Sequence, residues 1–78
     1  MFGIPRLIKR SVSIAGSSTS VMLEPEFWTV LETMAVEKEL LLSKLLWEID
    51  MDRRHRSLAS ACRIACLKWA LAKSRKAD

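Results

Sequence analysis

Glycine, proline, cysteine and histidine are all scarce in this chain, and tyrosine is absent. With only Gly3 and Gly16 available, no glycine-rich loop can be built to cradle a phosphate. A serine or cysteine nucleophile needs an oriented base, and the single histidine, His55, sits in a run of Arg53, Arg54 and Arg56. Cys62 and Cys66 lie four apart in a stretch free of Gly and Pro, with no secretion signal ahead of them, so a disulfide-stapled extracellular fold is not expected. Together with His55 they supply three zinc-ligand types, but the arginines around His55 would meet a cation with like charge. Two small apolar residues facing a helical core is the simpler reading. Asp50 and Asp52 read as a solvated helix end rather than a metal site. A chain of 78 residues also has little room for a substrate pocket. An enzyme is therefore not expected, and neither is a cofactor or metal.

Long hydrophobic runs are missing as well. Lys44, Glu48, Arg63 and Lys68 interrupt the most apolar stretches, so no membrane span is expected and the cytoplasm is the expected location. Arg63 and Lys68 form no broad polar face, which argues against a helix lying on a membrane surface.

Hydrophobic residues nevertheless make up 50% of the chain, and Trp28, Trp47 and Trp69 are more large aromatics than one small core easily covers. A domain of this size buries too little surface to be robust alone. A homodimer sharing one core answers both points. Charge is segregated along the chain. Residues 1–20 carry three basic residues and no acid, residues 21–52 carry eight acids against two basic residues, and residues 53–78 carry eight basic residues against one acid. The two basic ends can face a polyanion, while the acidic middle faces away or neutralises a partner subunit. An ordinary solvated surface is the competing reading of the same pattern.

Residues 1–9 contain Gly3 and Pro5 and read as a flexible basic arm. From Arg10 the pattern alternates: Val12 and Ile14 point one way, Ser11 and Ser13 the other. Gly16-Ser17-Ser18 is turn material, after which Thr19, Val21 and Leu23 alternate against Ser20 and Met22. Alternation leaves open whether these strands pair with each other or with a second subunit. Pro25 suits the first turn of a helix, and Phe27, Trp28, Leu31, Met34 and Ala35 give it an apolar stripe. A break is expected near residues 39–42, although one helix over residues 25–52 also satisfies propensity. Leu42, Leu45, Leu46 and Ile49 form a second apolar face. Ser57 can cap a third helix from Leu58 to about Lys73, with Leu58, Ala61, Cys62, Ala65, Trp69 and Ala72 on one side, and residues 74–78 form a frayed tail.

The run Lys9-Arg10-Ser11-Val12-Ser13-Ile14-Ala15-Gly16, followed by Thr19-Ser20-Val21-Met22-Leu23-Glu24-Pro25-Glu26-Phe27-Trp28, resembles a bacterial and phage branch of the ribbon-helix-helix superfamily. That branch tends to read K-R-S-V-x-I-x-G and then T-S-x-x-L-E-x-x-F-W. Ser43-Lys44-Leu45, Glu48-Ile49-Asp50 and Ser57-Leu58-Ala59-Ser60-Ala61-Cys62-Arg63 add to the likeness, which covers roughly residues 9–71. It implies a mainly α fold with short β-structure: an intertwined homodimer with a two-stranded antiparallel ribbon between subunits, plus an additional C-terminal helix over the end of a domain spanning residues 10–73. Val21, Leu23, Phe27, Trp28, Leu31, Leu45 and Ile49 would form the dimer core.

The implied function is transcriptional regulation by binding double-stranded DNA, with the ribbon in the major groove. Ser18, Ser20 and Met22 would face base edges. Lys9, Arg10, Ser43, Lys44, Arg53 and Arg54 would meet phosphates, Ser43 and Lys44 through the start of the second helix. Three departures accompany the likeness. Ser17-Ser18 stand where the branch usually has a polar, often basic pair, which shifts the phosphate contacts onto Lys9, Arg10 and Lys44. Glu39 takes the place of a turn glycine, and Leu41 that of a capping Ser or Thr. The alternative reading is a protein-interaction module, such as an antitoxin or assembly factor, that uses the apolar surface of residues 58–71.

Overall fold

The computed structural model describes residues 6–76. Two strands and three helices follow one another: β1 (Ile8–Ile14), β2 (Ser17–Leu23), α1 (Pro25–Glu37), α2 (Leu42–Asp52) and α3 (Leu58–Lys76). The expected arm over residues 1–9 lies partly outside the described residues, and Ile8 and Lys9 belong to β1. The expected tail over residues 74–78 is helical as far as Lys76, with residues 77–78 outside the description. Nothing in this stretch breaks a helix, since it holds no Gly or Pro.

β1 and β2 pair antiparallel within the chain, in a register running from Ile8↔Leu23 to Ile14↔Ser17. Both strands of this sheet belong to one chain. The reason is local: Ala15 (φ 53°) and Gly16 (φ 82°) close a two-residue turn whose positive φ values match the twist of a hairpin. Gly16 takes this conformation without strain, whereas Ala15 does so with a Cβ and without the polar side chain that helps Asn or Asp there. Residues of one parity, Val12, Ile14, Thr19, Val21 and Leu23, lie towards the helices, with Ile14, Val21 and Leu23 buried.

α1 starts at Glu24, with Pro25 in the first turn, and buries Trp28, Leu31, Met34 and Ala35. It stops at a closed C-terminal motif. Glu39 N–H donates to the Val36 carbonyl (3.1 Å) and Leu40 N–H to the Ala35 carbonyl (2.9 Å), with Glu39 at φ 56°. These paired bonds are those of a Schellman end, built here around a glutamate instead of a glycine. The two satisfied carbonyls and the inward Leu40 offset the left-handed strain of about 1 kcal/mol. Residues 25–52 are accordingly two helices, and α2 begins after Leu41 without a side-chain cap.

Leu45 and Leu46 carry α2 onto the core, and Ser57 starts α3 by accepting the Ser60 N–H (3.1 Å). Cys62 and Cys66 are buried beneath α1 and β2 as free thiols. Among the residues expected in a shared core, Val21, Leu23, Trp28, Leu31 and Leu45 are buried, while Phe27 and Ile49 pack half-buried against that cluster. Trp47 and Trp69 are half-buried too.

Two stability effects follow. Ala15→Asn places the residue type favoured in this turn at its left-handed position and should add about 0.5–1 kcal/mol, read as a rise in Tm of several degrees. Burial pushes the Cys62 thiol up to about 12 and that of Cys66 up to about 11, from an ordinary 9.0. In the unfolded chain both ionise first. Their contribution is therefore intact below pH 9.0 and is lost as pH rises through the folded values, at up to about 1.4 kcal/mol per pH unit for each thiol. Urea unfolding across this range should show the decline, and a Cys62→Ala/Cys66→Ala double variant should flatten it.

Candidate nucleic-acid interface

The hairpin has two faces with different chemistry. Its outer face carries the cross-strand pairs Lys9↔Met22, Ser11↔Ser20 and Ser13↔Ser18, and all six residues are exposed. The expected base-reading residues Ser18, Ser20 and Met22 thus share one surface with Lys9. Ser11 and Ser13 join them and complete a ribbon lined by four hydroxyls, each of which can donate or accept a hydrogen bond. The signal for these two was already in β1: its alternation puts them opposite Val12 and Ile14, and the two-residue turn carries that phase into β2.

Arg10 has the other parity and sits on the helix side. Its guanidinium lies 4.7 Å from the centre of the Trp28 ring and binds the Glu32 carboxylate (3.0 Å). Trp28 in turn donates its indole N–H to the Ile8 carbonyl (2.8 Å). Arg10 therefore clamps β1 onto α1, separate from the face that carries Lys9.

The remaining expected phosphate contacts are split between the two ends of α2. Ser43 and Lys44 lie in its first turn; the Lys44 N–H donates to the Leu41 carbonyl (3.0 Å), which leaves the earlier backbone N–H groups of Leu42 and Ser43 without an intrahelical acceptor. Lys44 is exposed, with its ammonium 4.0 Å from the centre of the Trp47 ring. At the other end Arg53 turns inward, binding Asp50 (2.6 Å) and the Arg56 carbonyl (2.9 Å), while Arg54 is exposed in a left-handed conformation at φ 58°.

The segregated charges of the sequence pair within the chain. Arg10–Glu32, Arg53–Asp50, Arg63–Glu24 and Lys73–Glu37 each join an acid of residues 21–52 to a base from outside that stretch. Glu24 is held below the usual carboxylate range, first by its own backbone N–H and then by Arg63. Glu37 also accepts the Trp69 indole N–H (3.2 Å). Three of these pairs attach β1 and α3 to α1, and the fourth closes the end of α2; Lys9 on the hairpin's outer face and Lys44, Arg54 and Arg56 at the two ends of α2 are among the bases that make no ion pair among the described residues.

The chain matches the family described as "Ribbon-helix-helix domain" over residues 7–70. It belongs to the ribbon-helix-helix family. Members of this family are typically non-catalytic and are associated with binding DNA or protein. Among solved structures, the chain is similar to an uncharacterized protein from Bordetella pertussis Tohama I, with 26% identity and a TM-score of 0.76. The likeness covers 91% of this chain and 61% of that one, so the chain spans less than two thirds of that protein's length. Among curated proteins none matches. Among the described residues no cluster of three or more His, Cys, Asp or Glu can hold a metal ion, and no helix is long and apolar enough to cross a membrane.

Because this ribbon-helix-helix domain hangs its hairpin on Trp28, Trp28→Phe should keep a smaller aromatic ring in the core but lose the N–H that the Ile8 carbonyl accepts. The expected cost is about 1–2 kcal/mol in urea unfolding, with faster amide exchange in β1 than in β2. Arg10→Gln, which opens a half-exposed pair, should cost less than about 1 kcal/mol.

Proposed function

We propose that this protein binds double-stranded DNA as a homodimer and regulates transcription, with the outer face of the hairpin turned into the major groove. The observation that carries the reading is that face itself: Lys9, Ser11, Ser13, Ser18, Ser20 and Met22, all exposed on a two-stranded antiparallel ribbon in a ribbon-helix-helix chain. Hydroxyls bond to several kinds of base edge, a methionine packs against a thymine methyl, and a lysine at the margin meets phosphate.

The homodimer supplies the second half-site. β2 is paired on one edge only, and its other edge is a template for β2 of a second copy. That pairing makes a four-stranded sheet with two β2 strands at its centre. The centre presents Ser18, Ser20 and Met22 to the bases. The two β1 strands, about 14 Å apart across three strand spacings, stand at the walls of a groove about 12 Å wide, where Lys9 reaches the backbone. A second copy also gives cover to large apolar side chains that the single chain leaves open, Val36 and Leu41 among them at 77% exposure each. The start of α2, with Ser43 and Lys44, adds a phosphate anchor.

A second reading, the protein-interaction module, is favoured by one feature. An apolar groove of about 360 Å³ runs between α1 and α3, lined by Phe27, Val30, Ile64, Leu67 and Ala70, with Leu67 57% exposed.

The test is binding to a pool of random duplexes at about 50 and 200 mM salt, with sequencing of the bound fraction. The expected result is steep salt dependence and an enriched palindrome. Lys9→Gln should lower the salt slope by about one unit at unchanged preference, whereas Ser20→Ala and Met22→Ala should alter the preference. No binding at the lower salt overturns the DNA reading and passes the function to the α1–α3 groove.

A further inference from the structure

The connector between α2 and α3, residues 53–57, is built in a way that its own electrostatics disfavour. Arg54, His55 and Arg56 are all exposed, and among the described residues no ion pair or side-chain hydrogen bond engages any of the three side chains. They stand directly before the N-terminus of α3, a helix of 19 residues whose first turn contains no acid. A helix start carries partial positive charge, so cations gathered there are repelled and an anion is attracted. The backbone is strained as well: Arg54 adopts φ 58°, a conformation that bulky residues avoid.

Arg53 holds the strained turn in place. Its Nε binds Asp50 Oδ1, its Nη1 donates to the Arg56 carbonyl, and its own carbonyl accepts the Arg56 N–H (3.0 Å). One arginine is thus spent on bracing a loop that displays the next two. The connector lies beside the hairpin: Ala15 and Ser17 at its turn line one cleft with Asp50, Arg53 and Ser57. The other basic end of α2, at Lys44, lies about 16 Å away along a helix of 11 residues.

We infer that the α2–α3 connector is a second phosphate clamp, in which Arg54 and Arg56 grip the DNA backbone beside the turn end of the hairpin. This rests on the DNA-binding reading above. Arg53 is a positioning residue that keeps the clamp open, and only Arg54 and Arg56 touch the phosphates. The contact carries no sequence information. It lengthens the footprint outward from the bases read by β2, in addition to the anchor at Lys44.

The test compares the full chain with an Arg54→Gln/Arg56→Gln variant on random-sequence duplexes over a range of salt, with circular dichroism confirming unchanged helix content. The clamp predicts a salt slope lower by about two units, an unchanged ranking of duplex sequences, and the loss of ethylation interference at the outermost phosphates. An Arg54→Lys/Arg56→Lys variant, which keeps both charges, should retain most of the slope. A full slope and full footprint in the glutamine variant overturn the clamp while leaving the DNA reading intact. Failure of the unmodified protein to bind any duplex overturns both.

Discussion

The hydrogen bond from the Trp28 indole to the Ile8 carbonyl ties the hairpin to the helices, and the arrangement of the candidate surface depends on it. An isolated two-stranded hairpin is marginal in water, so β1 and β2 need a floor to lie on. Trp28 provides that floor: it is buried, and its one polar atom donates to a backbone acceptor of β1. Arg10 closes over the same ring and reaches Glu32 on the next turn of α1. With the inner parity of β1 held in this way, Lys9, Ser11 and Ser13 have only one direction left, and the cross-strand register brings Ser18, Ser20 and Met22 alongside them.

The ion pairs repeat this logic at the other seams. Arg63 reaches Glu24 at the start of α1, and Lys73 reaches Glu37 at its end, so α3 is fastened along α1 at both ends of that helix. Each pair is partly exposed and contributes little by itself. Their joint effect is on orientation. They engage Glu24, Glu32, Glu37 and Asp50 inside the chain, and Lys9 on the hairpin and Lys44, Arg54 and Arg56 at the two ends of α2 are among the cations left without an ion pair among the described residues.

Much of this was legible in the residues. Alternation from Arg10 to Leu23 marked both strands, Pro25 and Ser57 marked helix starts, and the stripe of Leu31, Met34 and Ala35 marked the buried side of α1. The break at Glu39 was only faintly signalled, because its Schellman bonds are made by backbone groups and Glu supplies no cheap left-handed turn. The direction of Arg10 was available from parity, since it alternates in phase with Val12 and Ile14, but its positive charge suggests an outward role. What closes on Arg10 is a tryptophan and a glutamate 18 and 22 residues further on, a contact that no local pattern reports. The in-chain pairing of β1 with β2 is similarly silent in alternation, which is the same whichever strand lies alongside.

That pairing alters how the chain can acquire its shape. Where a strand finds its only neighbour in another molecule, collapse must wait for a bimolecular encounter and slows as the solution is diluted. Here Ile14 and Ser17 meet across a loop of two residues, a closure of very short sequence separation. The hairpin can form and settle on α1 in a first-order step that does not depend on how many copies are nearby. Newly made chains present at low copy number therefore have a route to an ordered strand pair before any second chain arrives.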